Sequence, residues 1–338
     1  MDDLIDPRIL YNCLNNKHFS IILMPTEQCN FRCTYCYEDF KIGRMKEKTV
    51  QGIKNLISNR MPELKSFGLE WFGGEPLLAK DIIYDILKHI NNLLFENKHI
   101  KFTCGMTTNS FLLKKDVAEK LVNFGCKYYQ ITLDGPQLIH DKSRIQISKK
   151  GSYSAIMANL YTLKESQLDF NITLRVHITP ENFDKLDEFL KMLKEDFLSD
   201  NRFQIFFKAI ENLGGKNSGK FKTLSHENKK IIIDSLYQKV QPSESSKIVE
   251  NNPFYVCYAS KANSLVIKAD GSVAKCTVLF SDDRNRVGLI QEDGKLKLDS
   301  EKISLWTRGL FSGDKNILHC PLSNLPKLSK NNDSFIPN

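Results

Sequence analysis

The chain has 338 residues, 41% of them hydrophobic and 26% charged, the make-up of an ordinary soluble protein with one large domain or two smaller ones. No apolar run is long enough to span a bilayer, and the acidic start Met1-Asp2-Asp3 is unlike a secretory or transit signal, so a cytoplasmic protein is expected. The net charge of +8 is spread along the chain; pairs such as Lys149-Lys150 and Lys229-Lys230 read as solvated faces, and no aromatic-interleaved basic patch argues for nucleic acid.

In chain order, residues 1–14 read as an N-terminal tail. A short apolar run at 19–24 then ends at Pro25 and predicts a buried strand. Runs at 67–72, 102–107, 128–133, 172–178 and 203–209 read likewise. Between them lie helical periodicities at about 48–58, 79–95, 114–124, 153–165 and 182–193. Six strands with crossover helices predict a parallel sheet with right-handed connections. We therefore expect an α/β fold, a partial (β/α)6 TIM-like barrel, over residues 15–210.

A glycine-rich stretch at 212–220 reads as a flexible loop, followed by a helix from Ser225 to about Lys239 and a linker at 241–246. Residues 211–250 are expected to form this loop and linker helix. From 251 the texture changes to short strands at 264–268, 272–275, 287–290 and 295–298. Turn signals at Asp270-Gly271 and Glu292-Asp293-Gly294 predict a small hairpin-rich module over 251–338.

The loop after the first strand carries Cys29, Cys33 and Cys36, a C-x3-C-x2-C spacing. Thiolates hold the irons of a cubane cluster, and three ligands this close grip three irons and leave the fourth open. Structural zinc usually takes four ligands from paired knuckles, and no second knuckle lies nearby. Nine cysteines, an odd number, with no signal peptide argue against a disulfide framework. The spacing predicts a [4Fe-4S] cluster with one open iron. The other candidate motifs also follow strands, which is where barrel enzymes gather their active sites.

The cysteine loop resembles the cluster motif of radical S-adenosylmethionine (SAM) enzymes, in which an aromatic residue such as Tyr35 precedes the third cysteine. Gly73-Gly74-Glu75-Pro76, Thr107-Thr108-Asn109, Thr132-Leu133-Asp134-Gly135-Pro136 and His140-Asp141-Lys142-Ser143-Arg144 match the family in the same order. The resemblance implies that SAM chelates the open iron through its amino and carboxylate groups. An electron from an external reductant then yields a 5′-deoxyadenosyl radical. It places Gly73, Gly74 and Glu75 at the SAM ammonium, Thr132 and Arg144 at its carboxylate, Tyr35 near the adenine and Asn109 at the nucleoside. Arg175 is left between the barrel interior and SAM, while Tyr37 and His177 read as packing.

Gly271-Ser-Val-Ala-Lys-Cys276 fits G-x4-C and resembles the SPASM/Twitch extension that carries auxiliary clusters in such enzymes. A full module has further cysteines where this chain has Ser323, Ser329 and Asp333. The alternatives are one auxiliary cluster on Cys257, Cys276 and Cys320, with Asp333 or a substrate group completing it, or a module without metal. Cys13, Cys104 and Cys126 are expected as small buried hydrophobes, with a Cys104 thiol that donates hydrogen as the sharper alternative. The pairing of motifs resembles that of maturases of ribosomally made peptides. It implies a precursor-peptide substrate modified by cross-linking, thioether formation or epimerisation. Only 28 residues precede Cys29, which implies a separate leader-recognition protein or a leaderless mode. The alternatives are an anaerobic sulfatase-maturating (formylglycine-generating) enzyme, whose usual aspartate after the G-x4-C cysteine is here Thr277, and a Twitch-type small-molecule dehydrogenase or epimerase.

Overall fold

The computed structural model describes residues 6–240 and 255–328. The strands are β1 His18–Leu23, β2 Ser66–Trp71, β3 Lys101–Thr108, β4 Cys126–Leu133, β5 Asn171–Ile178 and β6 Phe203–Ala209. They pair in parallel in sequence order. Helices cross between successive strands: α2 Glu47–Arg60, α3 Lys80–Glu96, α4 Lys115–Asn123, the pair α5 Gln137–Ser143 and α6 Tyr153–Lys164, and α7 Asp187–Asp196. The helix α8 His226–Val240 follows β6. This is the partial TIM-like barrel the alternation predicts.

Alternation within each strand sorts its side chains. On β5, Ile172, Leu174, Val176 and Ile178 are buried, while Thr173, Arg175 and His177 between them point to the opposite face. On β1 the buried set is Phe19, Ile21 and Leu23. Register places Phe19 beside Phe67 and Phe67 beside Phe102, and the three rings stack with centroids 6.1 and 5.8 Å apart. These aromatic neighbours fix the register of β1–β3, since a one-residue slip turns the whole set to the wrong face.

The C-terminal strands are β7 Ser264–Ile267, β8 Ser272–Ala274, β9 Arg286–Ile290 and β10 Leu296–Leu298. They do not stand apart from the barrel. β7 adds in parallel to β1, and β8–β10 continue as an antiparallel meander, giving one ten-stranded sheet in the order β10-β9-β8-β7-β1-β2-β3-β4-β5-β6.

Three segments differ from expectation. The N-terminal tail contains a helix, α1 Pro7–Leu14, started by the Asp6 side chain and Pro7 and anchored by buried Cys13. The hairpin-rich end also carries the helices α9 Ser300–Ser312 and α10 Lys315–His319; Trp306 of α9 is wholly buried and donates its indole N–H to the Arg284 carbonyl at 2.9 Å. The helix expected from 182 starts instead at Asp187, because the Asn182 carboxamide accepts the Thr179 amide at 2.8 Å and closes a turn. The linker at 241–246, Ser329 and Asp333 lie outside the described residues. Among the described residues no helix is long and apolar enough to cross a membrane.

Arg202, just before β6, pins the β5–β6 edge. Its guanidinium donates to the carbonyls of Lys164, Ser166 and Leu168 at 2.6–3.1 Å and forks onto Asp200. An ammonium cannot reach that many acceptors at once. Arg202→Met is expected to cost about 2–4 kcal/mol in urea-unfolding free energy, with Arg202→Lys recovering less than half of the loss.

Candidate active site

Every strand end of the barrel contributes to one cavity of about 270 Å³. Cys29, Cys33 and Cys36 come from the loop after β1. Gly73 and Gly74 follow β2, and Asn109 follows β3. Thr132 is on β4, Arg144 follows α5, and Arg175 and His177 are on β5. Thr277 and Val278, after β8, line it too. A larger hollow of about 620 Å³ lies at the other end, around His18, Ser66 and Lys101, and holds none of the motif residues.

The two glycines are required by the approach of the cysteine loop. A Cβ on Gly73, whose φ is +130°, would sit 2.3 Å from the Thr26 carbonyl oxygen, and one on Gly74 would sit 2.5 Å from that of Gln28. The next residue, Glu75, is fully buried. Its amide donates to the Gln28 carbonyl at 2.9 Å. Its carboxylate accepts Thr108 Oγ1 at 2.7 Å, the Asn109 amide at 2.7 Å and the Leu77 amide at 3.1 Å. The Asn109 side chain is likewise engaged: its Nδ2 donates to Asn30 Oδ1 at 2.8 Å and its Oδ1 accepts the Phe111 amide at 3.0 Å. Expected as SAM contacts, Glu75 and Asn109 use these polar groups to join the loops after β1, β2 and β3.

A second buried carboxylate, Asp134, organises the other wall. It accepts the Tyr35 hydroxyl at 2.9 Å and the Ser143 hydroxyl, and it lies 3.5 Å from His177 Nδ1. Burial opposes its charge, but the His177 contact and the Arg144 charge outweigh this and hold its pKa well below the usual carboxylate range. Arg144 donates to the same Tyr35 hydroxyl at 2.9 Å. Tyr35, expected at the adenine, thus spends its hydroxyl bridging Asp134 and Arg144, and its ring meets His177 edge-on at 5.0 Å. His177 is a cavity residue as well as a packing one. Tyr37 stacks on Phe280 at 5.9 Å and also lines the cavity.

The glycine-rich loop after β6 is fastened over the cysteine loop. Asn217 Nδ2 donates to the Cys33 carbonyl at 3.3 Å and the Cys36 carbonyl at 3.2 Å. Gly215, at φ +76°, packs where a Cβ would come within 2.4 Å of the Tyr37 carbonyl oxygen. Sequence reasoning assigned no role to Asn217 or Asp134. Asp134 had a signal, an acidic residue ending an apolar strand; Asn217 had none, since its contacts span 181 residues or more. Glu38, beside the third cysteine, was also passed over. It lines the cavity, both its carboxylate oxygens are buried without a hydrogen-bond partner, and burial, then Glu27, push its pKa up to about 8.

The donor chemistry suits an iron cluster. Burial, then the neighbouring Cys33 thiol, push Cys36 up to about 12; burial also raises Cys29 and Cys33. Such thiols release their protons to a strongly cationic group. Among the described residues no three His, Cys, Asp or Glu groups are already drawn together at metal-binding spacing, so the thiols would converge on binding. Cys257, Cys276 and Cys320 lie outside the cavity. Burial, then the Cys276 and Cys320 thiols, push Cys257 up to about 11, and its amide bonds the Leu318 carbonyl at 2.9 Å, so the three are neighbours. Cys104 is wholly buried beside Cys126 in the core, not in the cavity, which removes it as a hydrogen donor there.

A family model described as the Radical SAM superfamily matches residues 23–193. The cysteine-type anaerobic sulfatase-maturating enzyme of Clostridium novyi (strain NT) is 26% identical over 304 residues, 82% of this chain and 78% of its own. The GTP 3′,8-cyclase of Campylobacter jejuni (strain RM1221) is 28% identical over 278 residues, 79% of this chain and 76% of its own. Among solved structures, native anSMEcpe with bound AdoMet and Kp18Cys peptide superposes with a TM-score of 0.66 at 20% identity, covering 86% of this chain and 84% of that one. Streptococcus suis SuiB bound to precursor peptide SuiA gives 0.59 at 14% identity, covering 94% and 73%. Both share the fold.

Two predictions follow from these contacts. His140 is fully buried between the Asp134 amide and the Ser152 hydroxyl, and burial lowers its pKa to about 4 from 6.5. A histidine lowered on folding binds more protons unfolded, so its stabilising contribution is complete above pH 6.5 and falls as pH drops towards 4. The His140 contribution to the unfolding free energy should fall by up to about 1.4 kcal/mol per pH unit over that window, and the difference in slope between wild type and His140→Gln should show it. Asn217→Ala should leave the urea midpoint nearly unchanged but make the cysteine-loop metal centre bleach several-fold faster in air, read by visible absorbance.

Proposed function

The chain belongs to the radical SAM superfamily, and from that premise we propose that it abstracts hydrogen from a peptide side chain during maturation of a ribosomally made peptide. Membership implies a [4Fe-4S] cluster and SAM. Bound together and reduced by one electron from an external donor, they supply a 5′-deoxyadenosyl radical, which takes a hydrogen atom from substrate carbon and leaves as 5′-deoxyadenosine. One observation carries the assignment of residues: three cysteines, two glycines, Thr132 and Arg144, far apart in sequence, line a single cavity.

In this reading Cys29, Cys33 and Cys36 hold three irons. Gly73 and Gly74 offer backbone carbonyls to the SAM ammonium, and Thr132 and Arg144 take its carboxylate, the arginine as a fork preset by Tyr35 and Asp134. Glu75 and Asn109 act one step back, as supports for the loops that bear the cysteines and glycines. Tyr35 keeps a ring for the adenine side while its hydroxyl positions Arg144. The C-terminal strands form a SPASM/Twitch-like wall, and Cys257, Cys276 and Cys320 are the ligands available for one auxiliary cluster.

Peptide is favoured as substrate because two structures of this fold are described with bound peptides, one of them a precursor peptide. A second reading, formylglycine formation, is favoured by the relative named as a sulfatase-maturating enzyme. Against it stands Thr277. At the cavity wall its hydroxyl lies 2.8 Å from the Tyr258 hydroxyl, and it offers no carboxylate to take a proton.

Anaerobically reconstituted enzyme, reduced in the presence of SAM and a precursor peptide encoded beside it, is expected to release 5′-deoxyadenosine together with a modified peptide. The modification is read as a mass change or, for epimerisation, as deuterium uptake from solvent. Changing Cys29, Cys33 and Cys36 together to Ala should lower 5′-deoxyadenosine by a factor on the order of 10³, and Cys257→Ala should lower iron content by one cluster. A formylglycine product from a sulfatase peptide, with the precursor untouched, would reverse the ranking of the two readings.

A further inference from the structure

We propose that Arg175 is a second anion site in the cavity, separate from the SAM-binding arginine, and that it receives a carboxylate of the peptide substrate: an Asp or Glu side chain or a C-terminal carboxylate. The inference rests on the peptide-modifying reading above.

Arg175 projects from β5 into the cavity, beside Thr132 on β4. Its guanidinium makes no hydrogen bond or ion pair with any described residue, and its Nε is buried without a partner. A guanidinium taken out of water and left unpaired costs several kcal/mol. Proteins therefore rarely keep one in a site unless the working complex supplies the counter-ion. No nearby carboxylate does so here. Asp134 is occupied by Tyr35, Ser143 and His177. Glu211 pairs with Lys229 at 2.5 Å and Lys208 at 3.6 Å. Glu38 has both oxygens buried without a hydrogen-bond partner, and burial favours its neutral form.

The two arginines line the same cavity but differ in their partners. Arg144 is held by Tyr35 and lies within electrostatic reach of Cys33 and Cys36, where an iron-bound carboxylate would sit. Arg175 is in electrostatic contact with Tyr37 first, and then with Tyr35, Arg144 and Asp134. Tyr37 stacks on Phe280, on the side of the C-terminal strands. Thr277 and Val278 complete the cavity wall. A planar fork at this place fits a carboxylate bidentately.

The test uses the cluster-loaded, SAM-saturated enzyme and two probes that differ only in charge, N-acetylglutamate N-methylamide and N-acetylglutamine N-methylamide, titrated anaerobically by calorimetry. The wild type should bind the glutamate probe about tenfold more tightly. Arg175→Gln should abolish the preference and leave SAM affinity within about threefold of wild type, whereas Arg144→Gln should weaken SAM by about tenfold or more. No preference in the wild type, a preference that survives Arg175→Gln, or a tenfold loss of SAM affinity in Arg175→Gln each overturns the proposal. Arg175→Lys keeps the charge and covers the case in which Arg175→Gln fails to take up iron: a weakened preference is expected, and an unweakened one overturns the proposal. Binding needs no turnover. An enzyme that cleaves SAM with peptide but shows no charge preference sinks the anion site alone, and one that never cleaves SAM sinks the functional reading.

Discussion

Glu75 has a carboxylate with no access to water, and every acceptor position it uses is filled by the chain itself. Its two oxygens take the Thr108 hydroxyl and the amides of Leu77 and Asn109, while its own amide reaches the Gln28 carbonyl. Burial pushes the carboxyl pKa up, and these three donors oppose the shift. Removing any one of them would leave part of a buried acceptor unsatisfied, which costs more than the bond itself is worth. That asymmetry holds three strand ends in one geometry. The loop after β1 carries the cysteines, the loop after β2 carries the glycines, and the loop after β3 braces Asn30 between Cys29 and Cys33 through Asn109.

Asp134 repeats the device on the opposite wall. Through Tyr35 it ties the cysteine loop to Arg144, and its own carbonyl accepts the Asn182 carboxamide at 2.8 Å, which also reaches the His177 carbonyl. The loops after β4 and β5 are thereby locked together. Two buried carboxylates thus frame the cysteine loop, each satisfied by residues from neighbouring strand ends. The backbone of the cysteine loop is set in this way, so that what is left to the moment of binding is the convergence of the thiol side chains.

Much of this was legible in the chain. Short apolar runs located all six barrel strands, because a parallel sheet covered by helices must be apolar where it meets them. Cysteine spacing and the motifs after the strands located the site, because chemistry at a barrel's strand ends needs fixed residue types close to each strand. What stayed hidden depends on pairing distant residues. Spacing shows that Glu75 and Asn109 sit after their strands but not that they meet Thr108, Leu77 and Asn30. The helices α9 and α10 were missed because their stability comes from burying Trp306 and Leu318 against the rest of the fold rather than from a strong periodic pattern. The parallel join of β7 to β1 brings together segments more than 240 residues apart, and nothing local encodes it.

That join also shapes the cavity. By extending the sheet from β1, it brings the segment after β8 to the cavity rim, so that Thr277 and Val278 face the cysteine loop. Lys268, just past β7, pairs with Glu27 of the cysteine loop at 3.0 Å, and its ammonium lies 4.9 Å from the centre of the Phe280 ring. The wall opposite the cysteines is therefore not a free-standing cap but part of the same hydrogen-bonded sheet that positions them. Changes at Thr277 or Val278 can then alter that wall without touching the contacts that Glu75 and Asp134 make. The two parts meet through the pairing of β1 with β7, so the C-terminal strands and the barrel strand ends are held by one hydrogen-bonded ladder.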